Sequence, residues 1–259
     1  MKRSSPSPEA TVRKIYRKLS RAWGPQHWWP AETPFEVIVG AILTQNTSWT
    51  NVERALTNLR QANALDLDAI RILPLAELEQ LIRPSGYYRQ KAARLKGFIA
   101  YLDQRYGGSL GKMLSTPTSR LRAELLSLRG IGHETADAIL LYAGRHEICV
   151  VDAYARRILS RHGVISDSAT YDEIRTLVER ALRAEKTVSG VATSRRLPEG
   201  FVLHEPSAMS KSVRSGPSQV FNEMHGLLVQ VGKHYCRKQQ ANCAFCPLLP
   251  LLQGTPKCS

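Results

Sequence analysis

Between Thr11 and Trp23 the apolar residues Val12, Ile15, Tyr16, Leu19 and Trp23 recur at helical spacing, with Arg and Lys between them, until Gly24 and Pro25 stop the pattern. That period belongs to an amphipathic helix with one buried face. The same reading predicts helices over 34–43, 47–62, 75–82, 89–106, 119–126, 134–143, 153–162 and 171–184, with Gly or Pro in the short loops between them. No stretch alternates apolar and polar residues for long enough to read as a strand, and even CVVDAY at Cys149–Tyr154 is too short to define a sheet. The expected fold is therefore mainly α, an array of helices packed pairwise.

From Lys186 to Ser218 the periodicity breaks. Ser, Gly, Pro and Arg dominate, few apolar residues are available for burial, and the segment is expected to be a basic, flexible insertion. Helical spacing resumes at Phe221, Met224, Leu227, Leu228 and Val231, which lead into a cysteine-rich tail.

Composition narrows the partner. With 36 Lys and Arg against 22 Asp and Glu, the net charge is +14, and a polyanion is the economical expectation. Basic residues can also serve solubility alone, so the motifs must decide. At 259 residues, 43% of them apolar, the chain can build one large or two modest domains. The opening MKRSSPSPEA has no apolar run behind it, so residues 1–10 are expected to form a frayed tail of a cytoplasmic protein, with no membrane segment.

The densest chemical signal runs from Leu128 to Arg157. In Leu128-Arg129-Gly130-Ile131-Gly132 two glycines bracket one apolar residue, which permits a tight turn between helices with exposed backbone N–H groups. Such groups at a helix start suit a phosphate, although a plain helix–helix connection has the same appearance. Asp152 then follows an apolar run and precedes a helix carrying Arg156, Arg157 and Arg161. As a helix N-cap it has an ordinary role, and a carboxylate fixed in that way can still face a cleft. The cysteines are unevenly distributed: Cys149 stands alone and reads as a small buried residue, while Cys236-x6-Cys243-x2-Cys246-x11-Cys258 supplies four thiolates in a loop-rich tail. Four such ligands suit either a [4Fe-4S] cluster or zinc.

The glycine turn, Asp152 and the cysteine tail together make the chain resemble the helix-hairpin-helix base-excision DNA glycosylases related to endonuclease III. The resemblance covers roughly Trp23 to the C-terminus except the insertion. It implies two helical lobes: one built from both chain ends, 11–33 and 153–235 with the insertion at 186–218, and a central one, 34–152, holding the hairpin, with a cluster loop at 236–259. It further implies a [4Fe-4S] cluster on Cys236, Cys243, Cys246 and Cys258, the last gap being longer than is usual there. The implied partner is double-stranded DNA containing a damaged base, bound by a monomer.

The resemblance also assigns residues. Asp152 matches the catalytic aspartate, whose anion would stabilise the oxocarbenium character that develops as an N-glycosidic bond breaks. Gly130, Ile131, Gly132 and Lys91 would hold the DNA backbone. Gln45, in the segment GAILTQNTSW, matches a glutamine that occupies the space vacated by the extruded nucleotide. Trp49, with Trp29 and Pro30 of the WWP run, would line a base pocket, and Tyr87 or Tyr88, the latter preferred, would wedge into the stack. The WWP and TQNT segments resemble the methylpurine branch, in which a cationic alkylated base favours an electron-rich ring. Each of these residues has an ordinary alternative: a helix-terminal amide for Gln45, core packing for the tryptophans, a buried Tyr and a solvated Lys. Glu134 stands where lyase members carry a Schiff-base lysine, so hydrolysis without efficient strand cleavage is expected. The alternatives are a bifunctional glycosylase and abasic-site lyase, or a noncatalytic DNA-binding module.

Overall fold

The computed structural model describes residues 6–187, 197, 200–201 and 205–252, and the regular structure among them is helical. In chain order the helices are α1 (Pro8–Trp23), α2 (Pro34–Leu43), α3 (Trp49–Gln61), α4 (Leu67–Ile72), α5 (Leu75–Leu81), α6 (Tyr88–Tyr106), α7 (Leu110–Leu114), α8 (Thr118–Leu126), α9 (His133–Ala138), α10 (Ala153–Arg161), α11 (Tyr171–Leu182), α12 (Ala208–Lys211) and α13 (Gly216–His234). A π-helical stretch, Ile139–Ala143, continues α9. None of these helices is long and apolar enough to cross a membrane.

The chain divides into two units, one formed by residues 1–30 with 147–259 and the other by 31–146. This places Asp152 with the chain ends, whereas the sequence reading put the boundary just after it.

Each unit is built around a helix that is buried on nearly every side. In the central unit this is α2, PFEVIVGAIL, whose residues Phe35–Leu43 are all buried. A helix that is apolar all round can be stable only if neighbours cover each face, and α3, α6, α9 and the π stretch do so. Thr33 caps its start by accepting the Glu36 N–H at 3.1 Å, and Pro34 occupies the first turn, where its missing N–H costs nothing. The one carboxylate of α2, Glu36, is buried and paired with Arg60.

In the unit of the chain ends α13 plays this part, with Val220–Gly232 buried and α1, α10 and α11 packed against it. Gly232 lets α10 approach closely, since a Cβ there would lie 2.1 Å from the Tyr154 ring.

Two expectations about segments change. The tail ends sooner than predicted, because Ser7 accepts the Ala10 N–H at 3.2 Å and Pro8 starts α1. Part of the presumed insertion is folded: α12 lies within it, with Met209 buried and Ser207 Oγ donating to the Trp29 carbonyl at 3.2 Å. Residues 188–196, 198–199 and 202–204 of that segment lie outside the described residues.

Candidate functional site

The apolar run before Asp152 has no regular structure and is stitched to α11. Cys149 is buried as expected, and its N–H donates to Glu179 Oε1 at 2.9 Å, while the Val151 N–H donates to the Tyr171 hydroxyl at 3.3 Å. This support delivers Asp152 to the start of α10 at a fixed place. One carboxylate oxygen, Oδ1, accepts the Ala155 N–H at 2.7 Å and so forms the N-cap. The other, Oδ2, lies 3.5 Å from Nε2 of His225 on α13, in a contact where the side chains are only 11% and 7% exposed. The Trp28 ring meets the His225 ring edge to face, with centroids 5.9 Å apart. Beside it Gly226 brings the α13 backbone against Trp28 and Gln26, where a Cβ would stand 2.9 Å from Gln26 Cβ. Asp152, His225, Trp28 and Trp29 thus belong to one packed group in the unit of the chain ends.

His225 was not singled out from sequence. The only signal was a histidine on the apolar-spaced helix α13, and nothing local relates it to Asp152. Trp28 and Trp29 are themselves buried, at 6% and 5% exposure, and pack as a T-shaped pair, while Pro30 is half-buried.

In the central unit the hairpin is a real turn between α8 and α9. The Ile131 N–H donates to the Leu128 carbonyl at 3.0 Å and closes it. Ile131 therefore spends its amide inside the protein and buries its side chain, which takes it out of the expected phosphate-binding set. Gly132 is different: it is exposed, it starts α9 without a side-chain cap, and a Cβ on it would meet nothing within 4 Å.

Gln45 holds this turn. Its Nε2 donates to the Gly130 carbonyl and to Thr135 Oγ1, both at 2.9 Å, and its Oε1 accepts from Arg94. These are bonds that a helix-terminal amide makes to satisfy loop groups. A buried ion pair fastens the hairpin further: Arg122 Nε lies 2.7 Å from Oδ1 of the fully buried Asp137. Glu134 is exposed on the first turn of α9.

Lys91 requires a correction. It is fully buried, and its Nζ donates to the carbonyls of Leu43 at 2.8 Å and Ser85 at 2.6 Å, so it cannot reach a phosphate. Burial, with Arg94 nearby, brings its pKa down to about 8. The wedge residues also separate. Tyr87 is the exposed ring, at 64%, on a left-handed backbone position (φ +45°), whereas Tyr88 is partly buried between the guanidinium groups of Arg83 and Arg89. Trp49 is half-exposed at the start of α3, with its indole N–H bonded to Glu53 at 2.7 Å.

Cys236, Cys243 and Cys246 line one small cavity with Arg161, His162, Tyr235 and Leu249. Burial, and then the neighbouring Cys236, push the Cys246 thiol up to about 11. The arginines of α10 bind this loop. Arg157 Nε donates to the Cys236 carbonyl at 2.7 Å, and Arg161 donates to Cys236 Sγ at 3.2 Å and to the Arg237 and Lys238 carbonyls. Cys258 lies outside the described residues, and among these no group of three His, Cys, Asp or Glu side chains is arranged to hold a metal ion.

Comparison with known proteins agrees with this arrangement. Residues 39–184 match the model of the HhH-GPD superfamily, described as base excision DNA repair protein. Over 241 residues the chain is 43% identical to a protein of Methanocaldococcus jannaschii named "Putative DNA repair glycosylase", covering 92% of this chain and 93% of that one. Endonuclease III of Bacillus subtilis is 26% identical over 86% of this chain and 83% of its own. Among solved structures, H. pylori 3-methyladenine DNA glycosylase (MagIII) bound to 1,N6-ethenoadenine superposes with a TM-score of 0.66 at 28% identity, covering 88% of this chain and 98% of that one. A trapped endonuclease III–DNA covalent intermediate shares the fold, with a TM-score of 0.71 at 21% identity and 95% of each chain covered. With a superfamily model across more than half of its length and a relative 43% identical along nearly all of it, the chain belongs to the HhH-GPD superfamily of base excision DNA repair proteins.

Proposed function

We propose that this protein is a DNA glycosylase that hydrolyses the N-glycosidic bond of a damaged base, an alkylated purine such as 3-methyladenine, and leaves the strand intact. The observation that carries the reading is the Asp152 carboxylate, held by the cap of α10 and shielded from water, with one oxygen beside His225. As the bond breaks, its electron pair leaves with the base and positive charge develops on the sugar. An anion fixed in a poorly solvated place stabilises that charge more than a mobile one in water. A water oxygen then adds to C1′, and its proton passes to the carboxylate.

Three features support the finer parts. Glu134 cannot form a Schiff base, and Lys91 has its amine tied to two carbonyls inside the protein, so neither serves a lyase step. Gly132 needs no small side chain for the protein's own packing; a strand laid against the amides at the start of α9 would supply the need. For the substrate, the support is the likeness to MagIII together with the partly exposed indole of Trp49, a face for stacking a cationic base.

The three described cysteines are soft donors around a single cavity, a set that fits a [4Fe-4S] cluster, with Cys258 as the fourth ligand. When bound, such a cluster supplies a cross-link within the tail, which Arg157 and Arg161 tie to α10; the hydrolysis does not pass through it.

The test is a mass-spectrometric census of bases released from alkylated, oxidised and deaminated duplex DNA, with borohydride trapping on abasic DNA and iron and sulfide analysis of the same preparation. Release of alkylated purines from an intact strand, no trapped adduct, and about four irons per chain are expected. A robust borohydride adduct would overturn the monofunctional assignment, zinc in place of iron would overturn the cluster, and no released base would leave only a DNA-binding module.

A further inference from the structure

The ring of His225 is fixed independently of Asp152. Trp28 meets it edge to face with an interplanar angle of 64°, and the next residue, Gly226, seats the α13 backbone against Gln26 and Trp28 so closely that a Cβ would be 3.3 Å from Trp28 Cβ. On the other side α10 packs on α13 and presents Asp152 Oδ2 at 3.5 Å from Nε2. Oδ1 is already committed to the Ala155 N–H. The only other buried ionisable side chain known on α13, Glu223, is bound elsewhere, accepting from the Gln26 N–H at 2.7 Å and from Gln219 Nε2 at 3.0 Å.

We propose that His225 is the positioning residue for the catalytic carboxylate: its ring, backed by Trp28, sets Nε2 3.5 Å from Asp152 Oδ2 and limits the turn of that oxygen. The inference rests on the reading of Asp152 as that carboxylate. A carboxylate anchored at one oxygen can still turn its second oxygen away from a sugar, and a fixed ring packed beside that oxygen limits the turn. Each oxygen keeps a further lone pair for the substrate. Trp28 thereby has a role distinct from stacking a base: it is the wall behind the histidine.

Partners that orient a first-contact group typically account for about 10- to 100-fold in activity. His225→Leu is expected to lower the single-turnover rate of base release by about that factor while DNA affinity changes less than about twofold. His225→Gln, whose amide nitrogen can reach the place of Nε2, is expected to restore most of the rate. A readout without turnover comes from nitrogen NMR of the His225 ring in the wild type and in Asp152→Asn. Loss of the carboxylate is expected to shift the Nε2 resonance. That measurement stands even if His225→Leu fails to fold.

The outcomes separate the two layers of the account. If Asp152→Asn is inactive while His225→Leu releases base at the wild-type rate, or if the ring resonances are the same with and without the carboxylate, the role of His225 is overturned and that of Asp152 survives. If Asp152→Asn excises at the wild-type rate, the reading beneath the proposal has failed.

Discussion

At Gly130 the backbone has φ +84°, and a Cβ would stand 2.2 Å from Nε of Arg94, whose guanidinium is in turn bonded to Gln45. Two separate demands therefore require glycine: the left-handed conformation, costing about 1–2 kcal/mol with a side chain, and the close approach of Arg94. Gly132 carries neither demand, with φ −95° and open space around it. Gly130→Ala is accordingly expected to lose at least about 1–2 kcal/mol of stability in urea unfolding. Gly132→Ala should stay within about 0.5 kcal/mol of the wild type, as for an ordinary surface change, yet weaken DNA binding. Equal stability losses with unchanged affinity would show that Gly132 does not meet the backbone of DNA. The sequence displayed both glycines but not this difference, which depends on an arginine far away in the chain. The same limit explains the correction at Lys91: residue type suggests a surface ammonium, whereas its burial and bonding are decided by α2 and α6 together.

Among the elements, the long helices were legible because apolar spacing sets their buried faces, and α2 and α6 begin within a residue of the expected place. The short helices α4, α7 and α12 escaped, since fewer than two turns cannot display a period. The start of α1 was missed although Ser7 and Pro8 are standard start signals, because the Ser/Pro-rich composition around them was read as a tail. What the pattern could not show at all is how the elements are fastened. Glu124 on α8 accepts from the hydroxyls of Tyr101 and Tyr106 on α6 at 2.7 and 2.5 Å and lies 3.0 Å from Arg120 Nε. The two tyrosine bonds, followed by Arg120, hold its carboxyl down to about 2. A folded-state value below the ordinary one means that the stabilisation is complete above the usual carboxylate range and is lost as pH falls through the folded value. Glu124→Gln is therefore expected to lose about 2 kcal/mol at neutral pH. In urea melts across pH, the difference from the wild type should narrow below about pH 4.5 and nearly vanish near pH 2. A difference that is flat with pH would mean that the charge of Glu124 contributes nothing.

Seen as a whole molecule, the chain supports each group of candidate residues with one largely buried helix, α2 under the hairpin and α13 beneath Asp152. Membership of the superfamily was legible from local motifs, because the glycine turn, the aspartate and the cysteines are each set by nearby sequence. The pairing of Asp152 with His225 was not, because it joins positions 152 and 225 only through the packing of α10 on α13. Arg157 and Arg161 of α10 face the cysteine loop, so that helix links the candidate carboxylate at its start to the tail at its end.

The most direct measurement is the single-turnover rate of base release from alkylated duplex DNA by Asp152→Asn, with DNA affinity determined in parallel. Asparagine is also a good N-cap, so α10 remains supported and the change isolates the charge. The account predicts a loss of about 100-fold or more in rate, the scale of a lost electrostatic or proton-transfer group, with affinity preserved. Excision by Asp152→Asn at the wild-type rate would contradict it.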